Sequence, residues 1–121
     1  MKLSEKEWRV LDALWDAPEG LSLGAAVEAL RPATGWSRNT VLTYLTRMEN
    51  KGLVHIDKEE TPHRYRAGVD REACAAEERR GLLERVYQGS AGKLVAAFLK
   101  EEKLTAQERE ELKRLLDDME V

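Results

Sequence analysis

The sequence holds one cysteine, two histidines and one phenylalanine in 121 residues. A lone cysteine, Cys74, excludes an intramolecular disulfide and any multi-cysteine zinc or iron–sulfur site, and suits a reducing compartment. His55 and His63 are accompanied by no HExxH pattern and no paired cysteines, so no metal site is expected. His55 reads as a half-buried strand residue and Cys74 as a small helix residue. No nucleophile with a base, no carboxylate pair and no phosphate-binding glycine motif is visible. The expectation is therefore a non-enzyme without a cofactor. No apolar run approaches the roughly 18 residues that span a bilayer, and Met1 to Trp8 carries charges where a signal peptide needs an apolar stretch. A soluble, cytoplasmic protein without direct membrane association follows.

What is present is charge and apolar periodicity. Hydrophobic residues make up 42% of the chain and charged residues 36%, which gives a core-forming, helix-rich protein with long solvated faces. The length suits one compact domain with an oligomerisation element. The formal net charge of −3 argues mildly against nucleic acid if averaged. Its distribution does not: between Arg31 and Arg66 stand seven Lys or Arg against four Asp or Glu, and from Arg71 to Val121 ten against twelve. The positive excess lies in the middle of the N-terminal half.

Helix signals open the chain. Ser4 and Glu7 form a capping box, Leu3 can staple onto Trp8, and Trp8, Leu11, Leu14 and Trp15 share a face before Pro18 and Gly20 stop the helix. Ser22 can cap a second helix with the face Leu23, Ala26, Val27 and Leu30. The small Gly24, Ala25 and Ala26 would let another helix approach, and Pro32 is expected to close the segment. Ser37 can cap a third helix, about 37–51, with Val41, Leu45 and Met48 inward and Gly52 in a left-handed position after it. Leu53 to Lys58 alternates as a strand, Glu59 to Pro62 reads as a turn, and Arg64 to Val69 returns. Helix, helix, turn, helix, hairpin is the order of a winged helix-turn-helix domain, here residues 1–70. The fold class expected is mainly α with a small β-hairpin, followed by a C-terminal helical dimerisation segment, 71–121.

That segment carries three amphipathic stretches. Leu83 and Val86 lie on the first, Leu94, Val95, Phe98 and Leu99 on the second. A capping box at Thr105 and Glu108 opens the third, whose stripe is Leu112, Leu115, Leu116 and Met119. Together they have more apolar face than they can hide within one chain, which points to burial against a second copy in a homodimer.

If the third helix enters a major groove, its outward face must carry short polar and basic side chains near its N-terminus. Ser37, Arg38, Asn39, Thr40, Thr43 and Arg47 supply them. Asn39 can pair with adenine, Arg38 with guanine or phosphate, Thr40 and Thr43 with phosphate or a thymine methyl, and Arg47 with the backbone. The hairpin adds Lys58, His63, Arg64 and Arg66, positions from which a wing could hold a phosphate backbone. Trp36 could stack on a base, although tryptophans at helical spacing more often belong to the core. Two readings stand side by side: a dimeric repressor on a palindromic double-stranded DNA operator, and a winged-helix protein-interaction module without sequence-specific DNA binding.

The strings Leu3-Ser4 to Trp8, Trp36-Ser37-Arg38-Asn39-Thr40-Val41-Leu42-Thr43 and Lys51-Gly52-Leu53-Val54 resemble the penicillinase-repressor family of winged-helix transcriptional repressors. So do Tyr65-Arg66-Ala67, Val86-Tyr87-Gln88-Gly89-Ser90 and Leu104-Thr105 to Leu116. The resemblance implies a homodimeric repressor with base contacts at Asn39, Thr40 and Thr43. It also implies an upstream sensor protease that triggers cleavage at an Asn-Phe bond in the dimerisation region, where this sequence has Ala97-Phe98. The C-terminal cysteine cluster of copper-responsive members is absent here.

Overall fold

A computed structural model describes residues 2–119, which form six helices and one hairpin. The N-terminal half starts with α1 (Glu5–Trp15), whose capping box is complete: the Glu7 N–H donates to Ser4 Oγ at 3.1 Å and the Ser4 N–H donates to Glu7 Oε1 at 2.9 Å. Ser22 caps α2 (Leu23–Thr34) and Ser37 caps α3 (Arg38–Asn50), each by accepting an N–H from three residues on. These caps satisfy donors that a helix start otherwise leaves unpaired. After α3, Gly52 takes φ +80°, the left-handed conformation expected of it.

Two expectations for α2 need correction. Pro32 does not close it; the helix runs on to Thr34 and ends at Gly35, φ +64°. Proline removes one backbone donor, and here it does so in an exposed last turn where the loss is small. The Thr34 hydroxyl donates to the Leu30 carbonyl at 2.8 Å and the Gly35 N–H to the Arg31 carbonyl at 2.9 Å, which carries the turn past the proline. Nor do Gly24 and Ala25 seat another helix: both are exposed, and of the three small residues only Ala26 is buried.

The hairpin pairs β1 (Val54–Asp57) with β2 (Arg64–Ala67) antiparallel, His55 opposite Arg66 and Ile56 opposite Tyr65. Leu21, between α1 and α2, adds a single bridge to Tyr65 through two 2.8 Å backbone hydrogen bonds. This bridge fastens the wing to the helices. The core beneath consists of Val10, Leu11 and Leu14 from α1, Ala26, Val27 and Leu30 from α2, and Val41, Leu45 and Met48 from α3, closed by Leu3, Leu53, Val54 and Tyr65. Burying each large aliphatic side chain contributes about 1.5–3 kcal/mol, so this shared apolar face, more than the caps, holds the three helices together.

The chain divides into two compact units, Met1–Glu78 and Arg79–Val121. The start of α4 (Arg71–Tyr87) belongs with the first: Cys74 packs against its core, Arg71 lies over the Trp15 ring at 5.8 Å, and Trp15 Nε1 donates to the Val69 carbonyl at 2.9 Å. Burial pushes the Cys74 thiol up, and the Glu77 and Asp70 carboxylates add to the shift, so the thiol stays protonated at neutral pH. The rest of the chain contains α5 (Ala91–Glu101) and α6 (Ala106–Asp118), the latter opened by the capping box of Thr105 and Glu108. No described residue of α4, α5 or α6 is buried. Phe98 is 53% exposed and Leu115 63%.

One charge sits inside the first unit. Glu7 is buried, and its Oε2 accepts from Lys51 Nζ at 2.9 Å, tying the first turn of α1 to the end of α3. Burial alone would raise the Glu7 pKa, but the Ser4 N–H, the Lys51 ammonium and the Ser4 hydroxyl outweigh it and hold the carboxyl below the usual glutamate range. A depressed carboxylate pKa stabilises the fold above the ordinary glutamate value of about 4.3, and that contribution is lost as pH falls below it. Glu7→Ala should lower the unfolding free energy by about 1–2 kcal/mol at neutral pH, since it removes half the capping box and strands the Ser4 N–H. Chemical denaturation at pH 7 and pH 3 checks this: the difference between wild type and variant should shrink at the lower pH.

Candidate nucleic-acid interface

Because Val41, Leu45 and Met48 point into the core, the opposite face of α3 is presented outward. Arg38, Asn39, Thr43 and Arg47 are exposed on it and Thr40 is half-buried. Asn39, Thr40, Thr43 and Arg47, with Tyr44, line a shallow concavity of about 310 Å³. Two hydroxyls are already engaged. Ser37 Oγ donates to Thr40 Oγ1 at 3.1 Å while serving as the helix cap, and Thr43 Oγ1 donates to the Asn39 carbonyl at 2.9 Å. Thr43 therefore offers a methyl group and acceptor lone pairs rather than a free donor.

The charges separate the elements more sharply than composition does. Arg31 pairs with Glu28 at 2.8 Å, Lys51 with Glu7 at 2.9 Å, Lys58 with Glu49 at 3.6 Å, Arg64 with Glu60 at 3.1 Å and Arg66 with Asp57 at 3.6 Å. Of the lysines and arginines from 31 to 66, Arg38 and Arg47 alone have no hydrogen bond or ion pair to a described residue. Both stand on the outward face of α3. Asn39 likewise keeps its side-chain amide free.

The wing residues divide. His63 is exposed at the turn. Arg64 is half-buried, its guanidinium donating to the Gly20 carbonyl at 3.0 Å as well as facing Glu60. Arg66 is half-buried too, with its Nε enclosed and unpartnered. Arg64 thus ties the hairpin to the segment after α1 and Arg66 pairs across the hairpin with Asp57, whereas His63 is exposed with no such partner. His55 is exposed, not half-buried as expected, because β1 turns Val54 inward and the next side chain outward. Tyr44 is the residue the sequence reading missed: it stacks on Trp36 with ring centroids 4.5 Å apart and planes 5° apart, which braces the start of α3. Its position four residues after Thr40 was the available signal.

In the C-terminal segment, Leu83, Leu94, Ala97 and Leu112 are half-buried, and Val86, Val95, Phe98, Leu99, Leu115, Leu116 and Met119 are exposed. Among the described residues no group of His, Cys, Asp and Glu could hold a metal ion, and no helix is long and apolar enough to cross a membrane.

A three-helix core that turns a polar, arginine-bearing helix outward beside a β-hairpin defines a winged helix-turn-helix DNA-binding protein. The chain belongs to the penicillinase repressor family, whose sequence profile matches residues 3–118, and is a transcriptional repressor rather than an enzyme. It is similar to the methicillin resistance regulatory protein MecI of Staphylococcus aureus, 27% identical over 116 residues that cover 96% of this chain and 94% of that one. The penicillinase repressor of Bacillus licheniformis is 25% identical over 117 residues, covering 97% and 91%. The fold is shared with the solution structure of monomeric Bacillus licheniformis BlaI in complex with the blaP half-operator. That likeness has a TM-score of 0.52 and 24% identity, over 60% of this chain and 87% of that one.

Arg47→Ala should leave the thermal unfolding midpoint within about a degree of wild type, because an exposed, unpaired side chain contributes little to stability. Its effect should instead fall on DNA binding. A titration at several salt concentrations should show weaker binding and a log–log salt slope shallower by about 0.9, the loss of one phosphate contact. An unchanged slope would remove Arg47 from the interface.

Proposed function

We propose that the chain represses transcription as a homodimer on a pseudo-palindromic operator, in the cytoplasm, with α3 of each copy in successive major grooves about 34 Å apart. The observation that carries this reading is the pair of unpartnered arginines on α3, flanking an amide with free hydrogen-bonding capacity. In this arrangement Asn39 reads a base edge, Thr40 and Thr43 offer oxygen and methyl contacts, Arg38 and Arg47 hold phosphates, and the wing lies along the backbone through His63. Residues 1–70 form the DNA-binding part and 71–121 the dimerisation part.

The second copy is called for by the exposed apolar residues of α4, α5 and α6. Val86, Val95, Phe98, Leu99, Leu115, Leu116 and Met119 leave more apolar surface in water than a single chain can hide. A sensor protease, the upstream partner that the family resemblance implies, would act at Ala97-Phe98. Cutting there would divide α5 within its apolar stripe and so separate the two copies. The aspartate variant Leu115→Asp, which places a charge in the seam, should sediment as a monomer; a dimer of undiminished stability would place the seam elsewhere.

Selection of bound sequences from a random duplex library tests the whole reading. The expected product is an inverted repeat, bound with a steep salt dependence. The same selection with Asn39→Ala should lose preference at one position in each half-site, at a cost of about 1–3 kcal/mol. Absence of any enriched sequence would favour a protein-interaction module.

A further inference from the structure

A second groove, of about 490 Å³, separates the start of α2 and α3 from the wing turn. Gly24 of α2, Arg38 of α3 and Thr61 and His63 of the turn lie along it, and no carboxylate lines it. Arg38 is exposed, and its Nη1 comes within 3.9 Å of the place a Cβ on Gly24 would occupy, so the guanidinium lies beside Gly24 at the edge of this groove; Glu28, near by on α2, is paired with Arg31. Neither Arg38 nor His63 has a hydrogen bond or ion pair to a described residue.

The surrounding charges are otherwise engaged. Asp57 faces Arg66, Lys58 faces Glu49, and Glu60 faces Arg64. Glu59, on the same turn, has its backbone N–H on Asp57 and does not line the groove. From α2 the groove receives Ser22, Leu23 and Gly24, none of them charged, and from β2 it receives Tyr65. What remains is one permanent cation and one imidazole lining a common groove, open to an anion that presents two oxygens.

We infer that this groove seats one phosphate of the DNA backbone between Arg38 and the imidazolium of His63, so that operator binding takes up a proton and tightens as the pH falls. The inference rests on the repressor reading above and adds a regulation to it. A phosphodiester has two non-bridging oxygens, one for the guanidinium and one for the imidazolium, and it stays ionised at every pH the protein experiences. Arginine does not titrate, whereas imidazole is the side chain whose charge changes between about pH 5 and 8. The phosphate favours the protonated ring. On binding, a proton passes from solvent to His63, and on release it returns. The added affinity is therefore complete below the imidazole range and is lost as pH rises through it.

The test is a fluorescence-anisotropy titration of the full chain against the duplex recovered by selection, at about pH 6 and about pH 8 and constant ionic strength. Wild type should bind roughly three- to tenfold more tightly at the lower pH, the effect of one exposed charge-assisted contact. His63→Gln should be weak and flat across the two conditions, His63→Lys tight and flat. His55→Gln should keep the wild-type dependence, since His55 lies opposite Arg66 on the strand and outside the groove. Tight wild-type binding with no pH dependence, or a dependence that survives His63→Gln, overturns the inference alone. Failure to bind any duplex at either pH overturns the repressor reading with it.

Discussion

Val41, Leu45 and Met48 are 0%, 0% and 1% exposed, and their anchorage in the three-helix core is the constraint on which the rest of the interface depends. A helix held by one face cannot rotate without bringing polar groups into the core, which costs several kcal/mol per unpaired group. The outward side chains of α3 are thus fixed in direction. Ser37 at the start and Gly52 beyond the end limit the length of that outward face. The Trp36–Tyr44 stack and the Lys51–Glu7 pair hold its two ends. Pre-organisation of this kind lowers the ordering cost of binding.

Electrostatics then distinguishes support from function. A chain of net charge −3 binds a polyanion only if its positive charges are free where they are needed. Carboxylates face the wing arginines and the lysines at both ends of β1. Arg38 and Arg47 have been left without such partners. The acidic excess of residues 71–121 falls on helices that carry exposed apolar stripes, apart in sequence from the basic residues of α3.

Much of the first unit was legible in the sequence because it is written in local signals. The Ser4–Glu7 capping box, the Ser22 and Ser37 caps, the inward triplet of α3 and the hairpin all arise from residues close to one another in the chain, as does the Thr105–Glu108 box of the second unit. What escaped was non-local or cumulative. The Leu21–Tyr65 bridge and the hold of Arg64 on the Gly20 carbonyl join segments 44 residues apart, and no periodicity announces them. Pro32 misled because a breaker's effect depends on how near the helix end it stands. Basic residues of the wing looked equivalent in composition; only the positions of Glu60, Asp57 and Glu49 separate them from Arg38 and Arg47. In the C-terminal segment the apolar stripes were readable, and they stand exposed on α4, α5 and α6.

Methylation interference on a selected duplex tests the central claim most directly, since it asks which groove the outward face of α3 occupies. The account predicts that methyl groups on guanine N7, in the major groove, block binding at two clusters one helical turn apart. Undiminished binding to duplexes methylated throughout those positions, with interference confined to the minor groove, would contradict it.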